Sequence, residues 1–336
     1  MRGFDPKWRD VPEFINGITY EIWEARQIAS LTHRYAPGLI VRSPASVLTD
    51  NTNVIAATMA TLAEFPDREL LGEDVIWCDD PARTTGDTQA FLSSHRLICT
   101  ATHTRPGVYG APTGARLAYR ILADCAIRSD AVYDEWLVRD QSAIVRQMGF
   151  DLVEWTRDLI AREGGADRCV KPMTPETDVS GPYDGTGNDS DWGARHADLL
   201  NAIMAGHMDR IPAAYDRAAT LHYPGHVLTQ GRSEADQFWM ALRAAFPDAT
   251  FRIEHRIGRD DPMMPPRSAI RWSLHGRHAG WGRFGRPTGA EVYIMGISHA
   301  EWGPSPGGEP LLRREWTLID ETAIWKQILL QTGQHE

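Results

Sequence analysis

Three observations predict two tandem α+β domains. The stretch from Glu135 to Gln147 (EWLVRDQSAIVRQ) recurs as Glu315 to Gln327 (EWTLIDETAIWKQ), 180 residues further on, with Glu, Trp, Asp, Ala, Ile and Gln in register. A period so far above solenoid lengths argues for duplication of a whole domain. Upstream matches keep nearly the same offset: Tyr35 with Tyr215, Val47-Leu48-Thr49 with Val227-Leu228-Thr229, and Phe65-Pro66-Asp67 with Phe246-Pro247-Asp248. Within each half, helical periodicity comes first and long strand patterns follow, which is the α+β order.

Taken along the chain, Phe14, Ile18, Ile22, Ala25, Ile28 and Ala29 recur at helical spacing and predict one amphipathic helix over residues 14–35. Residues 39–48 read as a strand interrupted at Pro44, and 52–65 as a helix ended by Pro66-Asp67. Strands are expected at 70–79, 94–102, 116–127 and 132–139, the last two joined by the tight turn Arg128-Ser129-Asp130. Helical segments are expected at 140–148 and 151–162. Gly, Pro, Asp, Thr and Ser then dominate to 193, as in a linker. The order restarts with helices at 195–205, 210–219 and 233–246 and strands from 250 onward. The expected domains are therefore 14–162 and 194–333, with 163–193 between them.

With 336 residues, 42% hydrophobic and 24% charged, the chain has enough apolar material for two cores. A formal charge of −10 disfavours a nucleic-acid partner, whose phosphates need clustered Lys and Arg. Cys78, Cys99, Cys125 and Cys169 show no CxxC spacing, and the three in strand-like segments read as buried small hydrophobes. His222 and His226 are spaced for a metal on a helix, but Pro224-Gly225 breaks any helix there, so no metal site is expected. No apolar run reaches membrane-spanning length, and the N-terminus lacks a signal-type apolar stretch, so a cytoplasmic location is expected.

The most informative motif is H-x3-G-x-aromatic-G-x-P-T-G-A, present from His103 to Ala115 with Tyr109 as its aromatic, and again from His278 to Ala290 with Phe284. Its glycines supply positive φ, its proline fixes one turn residue, and its aromatic plugs the end of a sheet. Arg96 and Arg271 each lie seven residues before the histidine. A histidine, a Gly-rich turn, P-T-G, a strand, and then Asp134-Glu135-Trp136, Asp140, Gln147 and Gly149 resemble the SnoaL-like polyketide cyclases of the nuclear transport factor 2-like superfamily. The resemblance covers residues 14–150 well and 195–333 more weakly.

That resemblance implies a curved antiparallel sheet wrapped around helices, with an apolar pocket inside each cone. It also implies cofactor-free acid/base chemistry on a carbonyl- or ester-containing small molecule: aldol cyclisation, isomerisation or dehydration. Such domains pair through their sheets, so an intrachain pseudo-dimer is expected, with homo-oligomers open. The alternative is a non-catalytic binding or scaffold protein on the same fold.

Strand alternation puts Val132, Asp134, Trp136 and Val138 on one face, and the apolar character of that face points Asp134 into the cone. It also occupies the family's acid-x-Trp position, so Asp134 is the expected base, raised in pKa by an apolar cavity. Arg120 is the expected electrostatic partner and His103 a proton carrier. Expected pocket residues are Trp136, Tyr109, Arg96 and Asp124 in the first half, and His275, His278, His299 and Trp316 in the second. Arg314 replaces Asp134 in the second copy and His299 replaces Asp124, so the first half is the expected catalytic one.

Overall fold

The computed structural model describes residues 1–334. The first domain begins with α1 (Val11–Trp23), a 3-10 turn (Ile28–Ser30) and the short α2 (Leu31–Arg34). Next come β1 (Ile40–Ser43), β2 (Ser46–Thr49), α3 (Asn51–Glu64) and β3 (Glu69–Asp79). The long strands β4 (Ala90–Thr102), β5 (Arg116–Arg128) and β6 (Ala131–Arg139) lead to α4 (Gln141–Gln147) and α5 (Leu152–Arg162). In the second domain, α6 (Asp191–Met204) and α7 (Arg210–Ala214) precede β7 (Tyr215–Tyr223), β8 (Val227–Gln230) and α8 (Arg232–Ala245). β9 (Thr250–Arg259), β10 (Arg267–Arg277), β11 (Glu291–Gly303), β12 (Leu311–Ile319) and α9 (Glu321–Thr332) complete it.

The two sheets have the same strand order, β2-β1-β6-β5-β4-β3 and β8-β7-β12-β11-β10-β9. One short parallel pairing in each, β1 with β6 and β7 with β12, closes an otherwise antiparallel sheet. Helix ends follow local chemistry: Asp10, Asp50, Asp140, Asp151 and Asp320 each accept backbone N–H groups from the first turn of the following helix.

Two expected helices are cut short by tertiary contacts. The helix over 14–35 stops at Trp23, where Arg26 adopts φ 57° and the Glu24 carboxylate takes the Leu70 N–H at 2.5 Å, tying the helix end to β3. The helix over 210–219 ends at Ala214. Tyr215 is drawn into β7, opposite Leu312, and its hydroxyl donates to Glu315 at 2.9 Å. Around Pro44 the expected single strand is the hairpin β1–β2.

Each sheet is buried on both faces. One face packs on the helices of its own domain, and the other packs on the opposite sheet. Leu122, Trp136 and Val138 of the first sheet share one apolar cluster with Ile257, Ala269, Met295, Ile297 and Leu318 of the second. The polar contacts across this junction obey a pseudo-twofold, as an isologous contact requires. Arg271 lies over Trp136 at 4.1 Å and bonds Asp124 at 3.1 Å. Its counterpart Arg96 lies over Trp316 at 3.5 Å and reaches His299, the counterpart of Asp124, at 3.5 Å. The segment 163–190, without helix or strand, runs along the junction. Arg42 holds it through Asp178 and the Val179 carbonyl, and Tyr183 bonds His255 at 2.9 Å.

The interiors of the two cones differ. Val54, Ala57, Thr58 and Leu97 of the first domain correspond in register to Ala235, Phe238, Trp239 and Trp272 of the second. Trp239 and Trp272 are fully buried, their ring centroids 5.9 Å apart. Room for Trp272 comes from Gly296, counterpart of Ile121: a Cβ at Gly296 would sit 2.2 Å from the indole. Gly296→Ile is therefore expected to destabilise the protein by at least about 2 kcal/mol. Adding Trp272→Leu, which restores the first domain's pairing, should recover part of that loss in urea unfolding.

Candidate active site

Inside the first cone lies a cavity of about 140 Å³, bounded by α1, α3 and the inner face of the sheet. Its wall is mainly aliphatic, from Ile22, Leu31, Val41, Leu97, Ile121 and Leu137, and Tyr35, His95, Glu135, Arg68 and Arg139 interrupt it. Glu135 enters because β6 carries a bulge. Ile127 pairs with Val132 and Ala126 with Asp134, so Tyr133 is the extra residue and the alternation slips there. Glu135, Leu137 and Arg139 consequently face the cone, and Asp134, Trp136 and Val138 face the other sheet.

The electrostatics of this wall suit proton transfer. Glu135 is raised from 4.5 to about 7, first by burial, with the neighbouring charge of Asp134 adding to it and the Tyr35 hydroxyl opposing it. Tyr35, at the end of α2, is pushed well above its ordinary range by burial and then by Glu135, so it stays a hydroxyl donor. His95 is lowered to about 4 by burial and stays neutral near pH 7. Its buried Nδ1 has no partner among the described residues.

Most of the residues singled out in the sequence lie elsewhere. Asp134, expected in the cone, is fully buried on the opposite face. Its Oδ1 accepts from Arg42 at 2.6 Å and its Oδ2 from the Tyr183 N–H at 3.1 Å. The apolar face on which it was placed is indeed buried, but against the second domain. Arg120 does not meet Asp134: it forms a bidentate pair with Glu73, both contacts at 2.9 Å. Trp136, Arg96, Asp124, His299 and Trp316 all belong to the junction between the sheets.

His103 and His278 are hairpin residues. Each Nδ1 meets the hydroxyl of the motif threonine at 3.1 Å, and each backbone carbonyl takes the N–H of the motif glycine, Gly114 or Gly289. Tyr109 plugs the hairpin and stacks on Trp155. His275 is half-buried beside Glu291, 3.2 Å away. Of the expected site residues, none lines the cone cavity itself, although Tyr109 lines the recess next to it.

The residues missed were Glu135, Tyr35 and His95. A signal for the first two was present: glutamate and tyrosine are kept at both positions of the duplication, whereas Asp134 becomes Arg314. In the second cone the corresponding Glu315 is enclosed by hydrogen-bond donors. It is fully buried and accepts from Tyr215 and Tyr223 at 2.9 Å and from Thr317 at 2.6 Å. Asp134→Asn is accordingly expected to lower stability by about 2 kcal/mol through its pairing with Arg42, leaving turnover intact. Loss of turnover in a folded variant would return the site to Asp134.

The duplicated sheet and helix arrangement defines a protein of two tandem α+β domains of the same topology. Residues 196–302, in the second domain, match the family model described as a SnoaL-like domain, and the first domain repeats the second's strand order. The match falls on the half where the sequence resemblance was the weaker one. Among solved structures, IdmH of Streptomyces antibioticus is 21% identical, covering 41% of this chain and 97% of its own, with a TM-score of 0.34. A SnoaL-like polyketide cyclase of Agrobacterium tumefaciens is 19% identical over 40% of this chain and 94% of its own, TM-score 0.30. TsrD of Streptomyces laurentii is 12% identical over 42% and 98%, TM-score 0.33. No curated protein matches in sequence. Among the described residues, no helix is long and apolar enough to cross a membrane.

Proposed function

We propose that the first domain is a SnoaL-type acid/base enzyme in which Glu135 removes a proton next to the carbonyl of a small molecule held in the cone. The observation that carries this reading is a carboxyl group with a pKa of about 7 in the wall of an apolar cavity, where it is balanced between base and acid near neutral pH. In the step, the substrate C–H bond breaks, its proton passes to the Glu135 carboxylate, and the electron pair is left as an enolate. Return of that proton at another carbon gives isomerisation. Attack of the enolate on an internal carbonyl gives ring closure, the new alkoxide taking the proton back from Glu135. Expulsion of a β-hydroxyl, which takes that proton and leaves as water, gives dehydration. Tyr35 orients the carboxylate, and the aliphatic wall excludes water. The second domain, with Trp239 and Trp272 filling its cone, supports the first.

Hydrogen exchange in D2O tests this without the natural substrate. Small ketones, and enones with an acidic sp3 C–H, should take up deuterium at that carbon faster with the protein than in buffer alone, and Glu135→Gln should return the rate to that background. Exchange above the background rate in a folded Glu135→Gln variant would sink the assignment.

A further inference from the structure

The wall of the same cavity contains two arginines that proton transfer does not use. Arg68, between α3 and β3, and Arg139, the last residue of β6, line both the cone cavity and a neighbouring recess beneath the turn at 107–109. Arg68 is 1% exposed. Its guanidinium has the ring of Trp23 at 4.4 Å, the ring of Tyr119 at 5.8 Å and the Cys99 sulfur at 4.0 Å. Among the described residues it makes no ion pair, and neither does Arg139. The buried Nε of both lacks a partner, as does the buried hydroxyl of Tyr109 in the same recess. The nearby Glu64 carboxylate is already committed, to the N–H groups of Val108 and Tyr109 at 3.0 and 2.9 Å, with His103 at 3.4 Å.

A buried guanidinium without an anion, as at Arg68, is costly in an apolar wall, and the half-buried Arg139 stands beside it with its Nε unpartnered. Elsewhere this chain pairs its buried arginines: Arg42 with Asp134, Arg96 with Glu73, Arg267 with Asp74, Arg271 with Asp124. We infer that Arg68, Arg139 and the Tyr109 hydroxyl form an anion subsite, and that the molecule presented to Glu135 is an organic carboxylate. Arginine forks match a planar carboxylate, and the aliphatic wall suits its hydrocarbon part. Arg139 stands four residues beyond Glu135 on the same face of β6, so the anionic end is held away from the reacting carbon. This inference rests on the first cone being the working site.

Calorimetric titration with benzoate and with its neutral isostere benzamide tests it. Benzoate should bind the intact protein tighter by roughly tenfold or more. Arg68→Met and Arg139→Met should each erase that preference, and Arg68→Lys should keep part of it. Glu135→Gln should retain it, which separates failure of the subsite from failure of the base. Ligand-free Arg68→Met should melt no lower than the wild type, because an uncompensated buried charge has been removed. Equal binding of the two probes to the wild type would overturn the subsite. So would an Arg68→Met protein that melts lower and keeps the preference, since Arg68 would then be structural.

Discussion

Glu135→Gln is expected to lower proton-transfer turnover by about a hundredfold or more, the scale of a lost general base. The base acts ionised, so wild-type kcat/KM should rise with pH through about 7 and level off above it, and the variant should show no such rise. The same substitution should change the pH dependence of stability in a fixed direction. Because the folded-state pKa of Glu135 lies above its ordinary 4.5, the folded protein binds the proton more tightly than the unfolded chain. Stability from this group is complete below about 4.5 and is lost as pH rises through about 7, with a total on the order of 3 kcal/mol.

Glutamine cannot ionise, so Glu135→Gln should be the more stable protein at pH 8 and close to wild type at pH 4. The difference between the two proteins is the quantity to measure. His95 contributes in the opposite sense: lowered to about 4, it costs stability as pH falls below its ordinary 6.5. Besides burial, Glu135 feels the hydroxyl of Tyr35, which stays protonated throughout, and the charge of Asp134 behind the strand, held by Arg42; Arg68 and Arg139 stand in the same cavity wall. Urea unfolding of both proteins from pH 4 to 8 would decide; parallel curves would mean that Glu135 is not the group with the raised pKa.

Asp124→Ala is expected to cost about 3 to 5 kcal/mol, because it leaves Arg271 buried without its carboxylate. Asp124 is the centre of the junction: it accepts from Ser94 at 2.5 Å and from Arg271 at 3.1 Å, with His255 at 3.5 Å. Burial opposes its ionisation, yet His255, Arg271 and Ser94 together bring it down to about 2. Ser94 in turn meets His299 Nε2 at 2.7 Å, linking the chain of contacts back across the junction. Replacing both partners, as Asp124→Leu with Arg271→Met, should recover much of the loss, since the pair contributes less than its disruption costs. A single-substitution cost below about 1 kcal/mol in chemical denaturation would contradict a buried, mutually dependent pair.

The duplication, the long strands and the hairpin motif were legible because each is written in local chemistry. Val47-Leu48-Thr49 and its repeat mark the duplication, and Phe65-Pro66-Asp67 and its repeat end a helix. The motif histidines, glycines and threonines close one local turn in each half. Where the expected elements failed, a distant contact was responsible. Leu70 captures the end of α1 through Glu24, and Glu315 captures Tyr215 from what reads as a helix.

The candidate site was decided by the tertiary structure. Alternation along β6 distinguishes two faces, but it cannot say which faces the cone when both are buried, one by helices and one by a second sheet. The bulge at Tyr133 then shifts the register by one residue, and a one-residue slip exchanges every side chain between faces. Asp134, the residue the resemblance favours, thus becomes half of a buried ion pair, and its neighbour Glu135 meets the cavity. The sequence by itself determined that two like domains would form, since hydrophobic period and turn chemistry are local properties. Only the assembled sheets decided which carboxylate lost its water without gaining a cation, because desolvation depends on everything packed around a group.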